Sequence, residues 1–261
     1  MRTMRTNESE IEITKLLEKE IKFVKDHLSE QYIFEEVYKP ESQDERPMDL
    51  NYSKRSFPNW RRLNLDISNK WITTKPIDSV FLDLGAGPLT HKKLFTGRKV
   101  IYADGASFEG VHVVTNFEKP LPFTSNAFSY IHCSNVLEHM KDPQHVLNEI
   151  YRCLNKSGEA LIIVPFFIKE HQCPLDFFRY TRYGLSLLAS NAGFENINIE
   201  NVGSLDNIKL NMNSLEISQS TAKIERLFLK LERLALILKR LLIGERHIAE
   251  IPQGFSVYLK K

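Results

Sequence analysis

The sequence has little of what stabilises small secreted or fibrous proteins. Its three cysteines, Cys133, Cys153 and Cys173, are too few and too widely spaced for a disulfide scaffold or a structural zinc site. No apolar run approaches the ~20 residues of a membrane span, and the opening residues lack the apolar core of a signal peptide. These absences exclude collagen, coiled-coil rods, secreted miniproteins and integral membrane proteins. We therefore expect a soluble, cytoplasmic, globular protein.

An excess of charge of one sign is also missing. The 35 Lys and Arg residues nearly balance the 33 Asp and Glu residues, which leaves a net charge of +2. No bulk field draws such a chain to nucleic acid, so we expect no nucleic-acid partner. Because 42% of the 261 residues are apolar, the chain can bury a large core in one or two domains.

From about residue 78 the sequence does contain a series of short apolar runs that alternate with helix-like stretches. Seven runs have the length and composition of strands, and they span 80–84, 100–103, 111–114, 128–133, 160–164, 194–202 and 254–259. Runs that are nearly all apolar and rich in β-branched residues are typical of parallel strands covered on both faces. The pattern predicts a doubly wound α/β domain.

Two helices in this series have clear ends. Asp142 can cap the first, and Pro143 suits its first position, where a missing N–H has no cost. This helix is predicted to end at Ser157-Gly158. The second is predicted to start after Thr181 and to stop at Gly193.

The series defines a domain with two additions. The domain is predicted to comprise residues 76–204 and 251–261, with an N-terminal helical and loop cap over 1–75. Residues 205–250 are predicted to form a helical insertion before the last strand.

Each addition has its own pattern. Residues 7–39 suggest one or two amphipathic helices, and the stretch 40–75 is loop-like in composition. Residues 221–243 have an apolar stripe opposite a basic side. This helix is predicted to cover the substrate or to form a homodimer contact. A core role and association with a membrane surface are less favoured alternatives.

Small and acidic residues follow the first two strands, where ligands bind in an open parallel sheet. Gly85 and Gly87 let backbone N–H groups approach a ligand, and Asp104 can accept hydrogen bonds from the ribose hydroxyls of an adenosine ligand. Thr90 occupies the third small position of the dinucleotide fingerprint, which disfavours NAD. No phosphate-binding P-loop motif is present.

The segment FLDLGAG (81–87) resembles the first motif of class I S-adenosylmethionine-dependent methyltransferases. The resemblance continues over residues 121–165, through Leu-Pro-Phe, Leu-Glu-His and Asp-Pro. It implies a Rossmann-like, mostly parallel seven-stranded sheet with an antiparallel last strand, and S-adenosylmethionine as the cofactor. The residues that it assigns to the cofactor are Asp83, Gly85 and Gly87 at the methionine part, Asp104 at the ribose, Asn116 and Phe117 beside the adenine, and Ser134 near the sulfonium.

Some positions depart from the family pattern. Ser129 and Asn116 stand where Asp is usual or frequent, Ser157 replaces the first Gly of a usual pair, and Leu89 replaces a frequent third Gly. An Asn amide can still pair with adenine. These changes keep open a non-catalytic protein that binds S-adenosylmethionine or serves as a scaffold. Phe117 has the alternative role of a core aromatic.

The segment 171–181 resembles part of methyltransferases associated with bacterial polysaccharide and glycan biosynthesis. A hydroxyl acceptor, with a pKa of roughly 15–16, needs a general base. We predict His171 as this base, Asp176 as its orienting group or an alternative base, and His139 as a further catalytic candidate whose other reading is a loop cap. No metal site is expected.

The same segment contains the residues predicted to bind the substrate, which are Arg179, Tyr180 and Arg182. Aromatic planes suit a sugar face, and an Arg side chain can hold a phosphate or carboxylate. The alternative is that the aromatic residues belong to the core and Arg179 pairs with Asp176. The sequence thus predicts O-methylation of a sugar or nucleotide-linked sugar. A methyltransferase acting on a lipid, protein or RNA acceptor stays open as an alternative.

Overall fold

The structure is a computed structural model that describes residues 13–17, 24–26, 31–33, 59–209, 212, 222–243 and 251–261. The helices are α1 (Ile13–Leu16), α2 (Trp60–Thr73), α3 (Pro143–Cys153), α4 (Arg182–Asn191) and α5 (Lys223–Ile243). The strands are β1 (Val24–Asp26), β2 (Gln31–Ile33), β3 (Val80–Leu84), β4 (Lys99–Asp104), β5 (Val113–Val114), β6 (Phe128–Ser134), β7 (Leu154–Pro165), β8 (Asn196–Val202) and β9 (Gly254–Lys260). Single 3₁₀ turns form at Lys92–Phe95 and Leu137–His139.

The strands of the described residues form one sheet in the order β1-β2-β5-β4-β3-β6-β7-β9-β8. Strands β2 to β7 pair in parallel, whereas β9 lies antiparallel between β7 and β8. The predicted seven-stranded, mostly parallel sheet with an antiparallel last strand is confirmed. The hairpin of β1 and β2 adds two short strands at the edge beside β5.

The first strand of the domain lies at the centre of the sheet. Phe81, Leu82 and Leu84 of β3 are fully buried, as expected for a strand covered on both faces. Its neighbours β4 and β6 run in the same direction on either side. The carboxyl ends of β3, β4, β6 and β7 therefore meet at one edge, where strand order reverses and ligands bind.

The predicted helix starts are confirmed. The side chain of Asp142 accepts from the backbone N–H of His145 at 3.0 Å, and Thr181 caps α4 through the N–H of Gly184 at 3.1 Å. The predicted end of α3 at Ser157-Gly158 is wrong, because Leu154 already has extended backbone angles and begins β7.

The prediction for the N-terminal region is partly wrong. The stretch predicted to be loop-like contains α2, which Asn59 caps and which buries Leu65, Trp71 and Ile72 against the sheet. Its helical spacing is hard to see among polar residues because Asn64 and Ser68 share the buried face. Within 7–39 the described part has one four-residue helix and two strands, of which β2 pairs in parallel with β5. The rest of 1–75 lies outside the described residues, and the domain boundaries stay predictions.

Helix α5 confirms the helical prediction for most of 221–243 and has a broad exposed apolar face. Among its apolar side chains Ile224, Leu227, Phe228 and Leu242 are 58–84% exposed. None of the helices in the described parts of the chain is long and apolar enough to span a membrane. The predicted role of α5 as a substrate cover or a dimer contact stays a prediction.

Candidate functional site

The first part of the candidate cofactor site is the tight loop that follows β3 and begins at Gly85. The backbone N–H groups of Gly85 and Ala86 donate to the Ala103 carbonyl of β4, at 2.8 and 3.0 Å. Gly85 and Gly87 have φ values of +82° and +52°, a left-handed conformation that Gly adopts without a steric cost. Leu89, at the place of the family's third Gly, also has a positive φ of 58°. The loop thus keeps a glycine-like backbone despite this departure.

The predicted ribose residue is tied to this loop. Asp104 ends β4, and its Oδ2 accepts from the Gly87 N–H at 2.8 Å while Oδ1 accepts from the Ala106 N–H at 3.0 Å. A carboxylate has about four lone-pair sites, so these two bonds are compatible with further bonds from ribose hydroxyls. The structure thus brings together Gly85, Gly87 and Asp104 as the sequence predicted.

Asp83 lies in a buried polar chain beneath the loop. Its Oδ1 is 2.7 Å from Nδ1 of His132, whose Nε2 is 2.8 Å from the Ser68 hydroxyl on α2. His91 stacks edge-on against His132, and burial together with the His132 charge lowers the pKa of His91 to about 4. The second oxygen of Asp83 is buried without a hydrogen-bond partner among the described residues.

These residues fit the predicted cofactor. A buried carboxylate oxygen without a partner is costly, and the ammonium of a methionine moiety would satisfy the second oxygen of Asp83. Asp104 at the next strand end suits the ribose. Asp83, Gly85, Gly87 and Asp104 are thus positioned to hold S-adenosylmethionine, and their contacts with it stay predictions.

The other three predicted cofactor residues lie at or after the ends of β5 and β6. Asn116 follows β5, and its Oδ1 accepts from the N–H of Glu118 at 2.9 Å. Phe117 is 5% exposed and packs in the main core cluster, as its alternative reading held. Ser134 ends β6 and accepts from the amide of Asn135 at 3.0 Å. Their contacts with the cofactor stay predictions.

The segment after β7 folds back onto the turn after β6. The backbone N–H groups of Phe177 and Phe178 donate to the Glu138 carbonyl, at 2.8 and 3.2 Å. His139 Nδ1 is 2.9 Å from the Leu175 carbonyl. Tertiary structure thereby joins His139 and His171, whose rings stack edge-on with centroids 4.9 Å apart.

The predicted catalytic pair is also in contact. Asp176 Oδ2 accepts from the backbone N–H of His171 at 2.9 Å and lies 3.3 Å from Nδ1 of its ring. Contact with Glu138 raises the pKa of His171, although burial opposes the shift. Hydrogen bonds from Arg179 hold the pKa of Asp176 well below its usual range, which disfavours Asp176 as a base and leaves its predicted role as an orienting group.

The three predicted substrate residues have structural contacts instead. Arg179 forms a bidentate pair with Asp176 at 2.6 and 2.7 Å and also donates to the carbonyls of Ile168, Lys169 and Phe178, which is the alternative that the sequence left open.

The polar groups of Tyr180 and Arg182 also form hydrogen bonds with other residues of the chain. Tyr180 is 7% exposed, and its hydroxyl donates to the Leu137 carbonyl at 2.6 Å. Arg182 joins α4 to β8 through the Ile199 carbonyl and the Asn201 side chain. A substrate role for these residues is therefore not supported, because their polar groups are already engaged.

Sequence reasoning did not single out Trp60 or Asn135, which lie at this edge of the sheet, and it gave too little weight to Glu138. Trp60 at the start of α2 donates its indole N–H to Asn135 Oδ1 at 2.7 Å, directly after β6. Its only sequence signal was an aromatic residue after a capping Asn. Glu138 entered the sequence analysis only as the middle residue of the Leu-Glu-His motif, but its carboxylate is fully buried between His139 and His171.

Comparison with known proteins agrees with this geometry. Residues 82–162 match a family model described as a methyltransferase domain. A comparison with curated proteins gives no match. The match agrees with the methyltransferase domain predicted from the sequence, and it covers the loop after β3 and the strands β4 to β6 that carry the predicted S-adenosylmethionine residues.

Solved structures resemble the chain in fold. One is a phosphoethanolamine N-methyltransferase 2 from Haemonchus contortus in complex with S-adenosyl-L-methionine, with 15% identity, a TM-score of 0.50, and coverage of 74% of this chain and 52% of that chain. The chain thus spans about half the length of that protein. Another is a SAM-dependent methyltransferase from Archaeoglobus fulgidus, with 17% identity, a TM-score of 0.50, and coverage of 77% and 94%. A third is the [4+2]-cyclase SpnF, with 14% identity, a TM-score of 0.54, and coverage of 82% and 88%.

Proposed function

We propose that the chain transfers the methyl group of S-adenosylmethionine to a hydroxyl oxygen of a sugar or nucleotide-linked sugar. The observation that carries the proposal is the segment after β7. It contains the half-exposed Phe167 and also Phe177 and Phe178, which are 38% and 39% exposed and whose backbone N–H groups donate to the Glu138 carbonyl, next to the stacked rings of His139 and His171. Exposed aromatic planes next to groups that can take a proton suit the face and the hydroxyl of a sugar.

Each group has a defined task in this proposal. The bound cofactor supplies an electrophilic methyl group on sulfur. Asp83 and Asp104 hold its two ends, which aligns the methyl group for in-line displacement. His171, oriented by Asp176, is the base predicted from the sequence for the acceptor hydroxyl. The Arg179 pair and the Tyr180 hydroxyl position this segment without contacting the substrate.

Calorimetric titration with S-adenosylmethionine and S-adenosylhomocysteine tests the cofactor residues first. Replacing Asp104 by Ala removes charged hydrogen bonds, so we expect an affinity loss of about ten- to hundredfold. Asp104→Asn keeps the shape of the side chain and removes only its charge, so it distinguishes the effect of the charge from that of the hydrogen bonds to Gly87 and Ala106. Asp78→Ala is the matched control, because it removes an exposed carboxylate just before β3, at the opposite end of the strand. Unchanged affinity in Asp104→Ala would overturn the ribose site.

Methyl transfer itself is measured with labelled S-adenosylmethionine and a panel of free and nucleotide-linked sugars. Turnover with a hydroxyl acceptor, reduced in His171→Ala while cofactor affinity is retained, supports the proposal. Turnover confined to amine, lipid, protein or RNA acceptors would overturn the sugar assignment. Cofactor binding without turnover on any acceptor class would favour the non-catalytic alternative.

A further inference from the structure

Three side chains above the ends of β6 and β7 have the geometry of metal ligands. Oε1 of Glu138 is 3.8 Å from Nε2 of His139 and 3.7 Å from Nε2 of His171. One donor atom from each residue lies within 4.8 Å of the other two. For ligand bonds of about 2.0–2.2 Å, two ligands of a tetrahedral ion are about 3.3–3.6 Å apart. The two separations from Glu138, 3.8 and 3.7 Å, exceed this range by only a few tenths of an ångström.

The Glu138 carboxylate lacks a partner that its burial requires. The side chain is 0% exposed, and neither oxygen has a hydrogen-bond partner among the described residues. The same is true of the buried Nε2 of His139. A buried carboxylate without a partner is strongly destabilising. A cation placed between the three side chains would remove that cost.

Both imidazole rings are oriented toward Glu138. A carbonyl oxygen can only accept, so Nδ1 of His139 donates to Leu175 and Nε2 of the neutral ring carries the lone pair. On His171, Nδ1 is 3.3 Å from the Lys169 carbonyl and 3.3 Å from Oδ2 of Asp176, which the Arg179 pair holds in place. Histidines that bind metals usually donate their other N–H to a carbonyl or carboxylate in this way.

Two comparisons within the chain support a ligand rather than an internal ion pair. A charge-assisted hydrogen bond between Glu138 and His171 would be about 2.7–2.9 Å long, much shorter than the 3.7 Å observed. In the other His and Asp cluster, Asp83 with His91 and His132, one Asp83 oxygen has no partner among the described residues, but both ring nitrogens of the central His132 are engaged. There His132 has contacts of 2.7 and 2.8 Å at its two ring nitrogens and has none left for a metal.

We propose that Glu138, His139 and His171 form a binding site for a divalent transition-metal ion, with Zn²⁺ as the first candidate. Two imidazoles and one carboxylate favour Zn²⁺, Fe²⁺ or Co²⁺ over Mg²⁺ and Ca²⁺, which prefer oxygen ligands. Three protein ligands leave a coordination position open for an oxygen of the acceptor. This chemical role rests on the proposed function, whereas the existence of the site does not. With the ion bound, His171 would be a ligand in place of the base, and the cation would lower the pKa of a coordinated acceptor hydroxyl so that its proton passes to solvent water.

The test is calorimetric titration of EDTA-treated, dialysed protein with ZnCl₂. We expect one equivalent to bind, and Zn²⁺ to raise the melting temperature of the wild-type chain. Glu138→Gln and His171→Gln should each lower Zn²⁺ affinity by at least tenfold. Glu170→Gln removes an exposed carboxylate from the same loop as His171 and should bind Zn²⁺ like the wild type.

Folding and cofactor binding are monitored in the same samples. Glu138→Gln should be at least as stable as the wild type in EDTA, because it removes a buried unpaired charge. Equal Zn²⁺ affinity in wild type, Glu138→Gln and His171→Gln, or no stoichiometric binding, would overturn the site. Loss of the metal site with retained S-adenosylmethionine binding would leave the cofactor assignment standing, so the two failures are distinguishable.

Discussion

The loop after β3 offers a sharp test of why glycine occupies its first position. Gly85 has a φ of +82°, and a Cβ added there would overlap Cγ2 of the buried Val136. A non-glycine residue in the left-handed region costs about 1–2 kcal/mol, and overpacking a buried contact costs a further ~1–3 kcal/mol. We therefore expect Gly85→Ala to lower the free energy of unfolding by about 2–5 kcal/mol.

Gly97 is a matched control for the backbone part of this effect. Its φ is +77°, and an added Cβ would meet only Ile77 Cδ1, at 4.0 Å. Gly97→Ala should therefore cost only the conformational term of about 1–2 kcal/mol. The difference between the two variants, about 1–3 kcal/mol, isolates the overlap with Val136.

Urea denaturation of both variants measures these values. Val136→Ala removes the overlapping methyl group, so it should destabilise the Gly85→Ala background less than the wild type. S-adenosylmethionine affinity should fall in Gly85→Ala and not in Gly97→Ala. Equal destabilisation by the two Gly substitutions, together with no coupling to Val136, would refute the packing argument.

Two further predictions concern buried polar contacts near the site. Tyr180→Phe leaves the Leu137 carbonyl without its 2.6 Å donor, so we expect a loss of about 1–3 kcal/mol of unfolding free energy in urea; stability equal to the wild type would contradict this role. Burial alone raises the pKa of Glu149, but hydrogen bonds from Arg152 and the Leu121 N–H outweigh it and lower the pKa below its ordinary 4.5. The charge of Glu149 therefore stabilises the fold above pH 4.5 and less as the pH falls through the folded pKa. Glu149→Gln should destabilise the chain at pH 7, and the gap to wild type should narrow on acidification; a gap that does not depend on pH would exclude the carboxylate as its cause.

Much of the sheet and of the cofactor loop was predictable from local patterns. The apolar runs that became β3, β4, β6 and β7 are dictated by burial on both faces, which demands a continuous apolar composition. Asp142 and Thr181 were identifiable as caps because capping is a contact over three residues. Helix α2 escaped prediction because Asn64 and Ser68 interrupt its buried face, and Ser68 is there to meet His132 of β6.

The acceptor side of the site was much less predictable. The functional role predicted for segment 171–181 stays a prediction, and within it Arg179, Tyr180 and Arg182 point their polar groups at the protein. From sequence alone an Arg or Tyr in a loop looks the same whether it faces a ligand or a carbonyl. The partners that decide the matter, Leu137 and Ile199, lie 43 and 17 positions away in the chain.

By itself the sequence determined the alternation of strands and helices, the glycine turn after the first strand, and the acidic residue at the end of the second. Those features depend on interactions within a few residues and on the general demand to bury apolar surface. Only the tertiary structure decided which polar side chains meet. Asp83 joins His132 and Ser68, and Glu138 lies between His139 and His171, because neighbouring strands in this sheet come from distant parts of the chain. The chemistry at the carboxyl edge of the sheet is therefore set by strand order, which no local pattern in the sequence encodes.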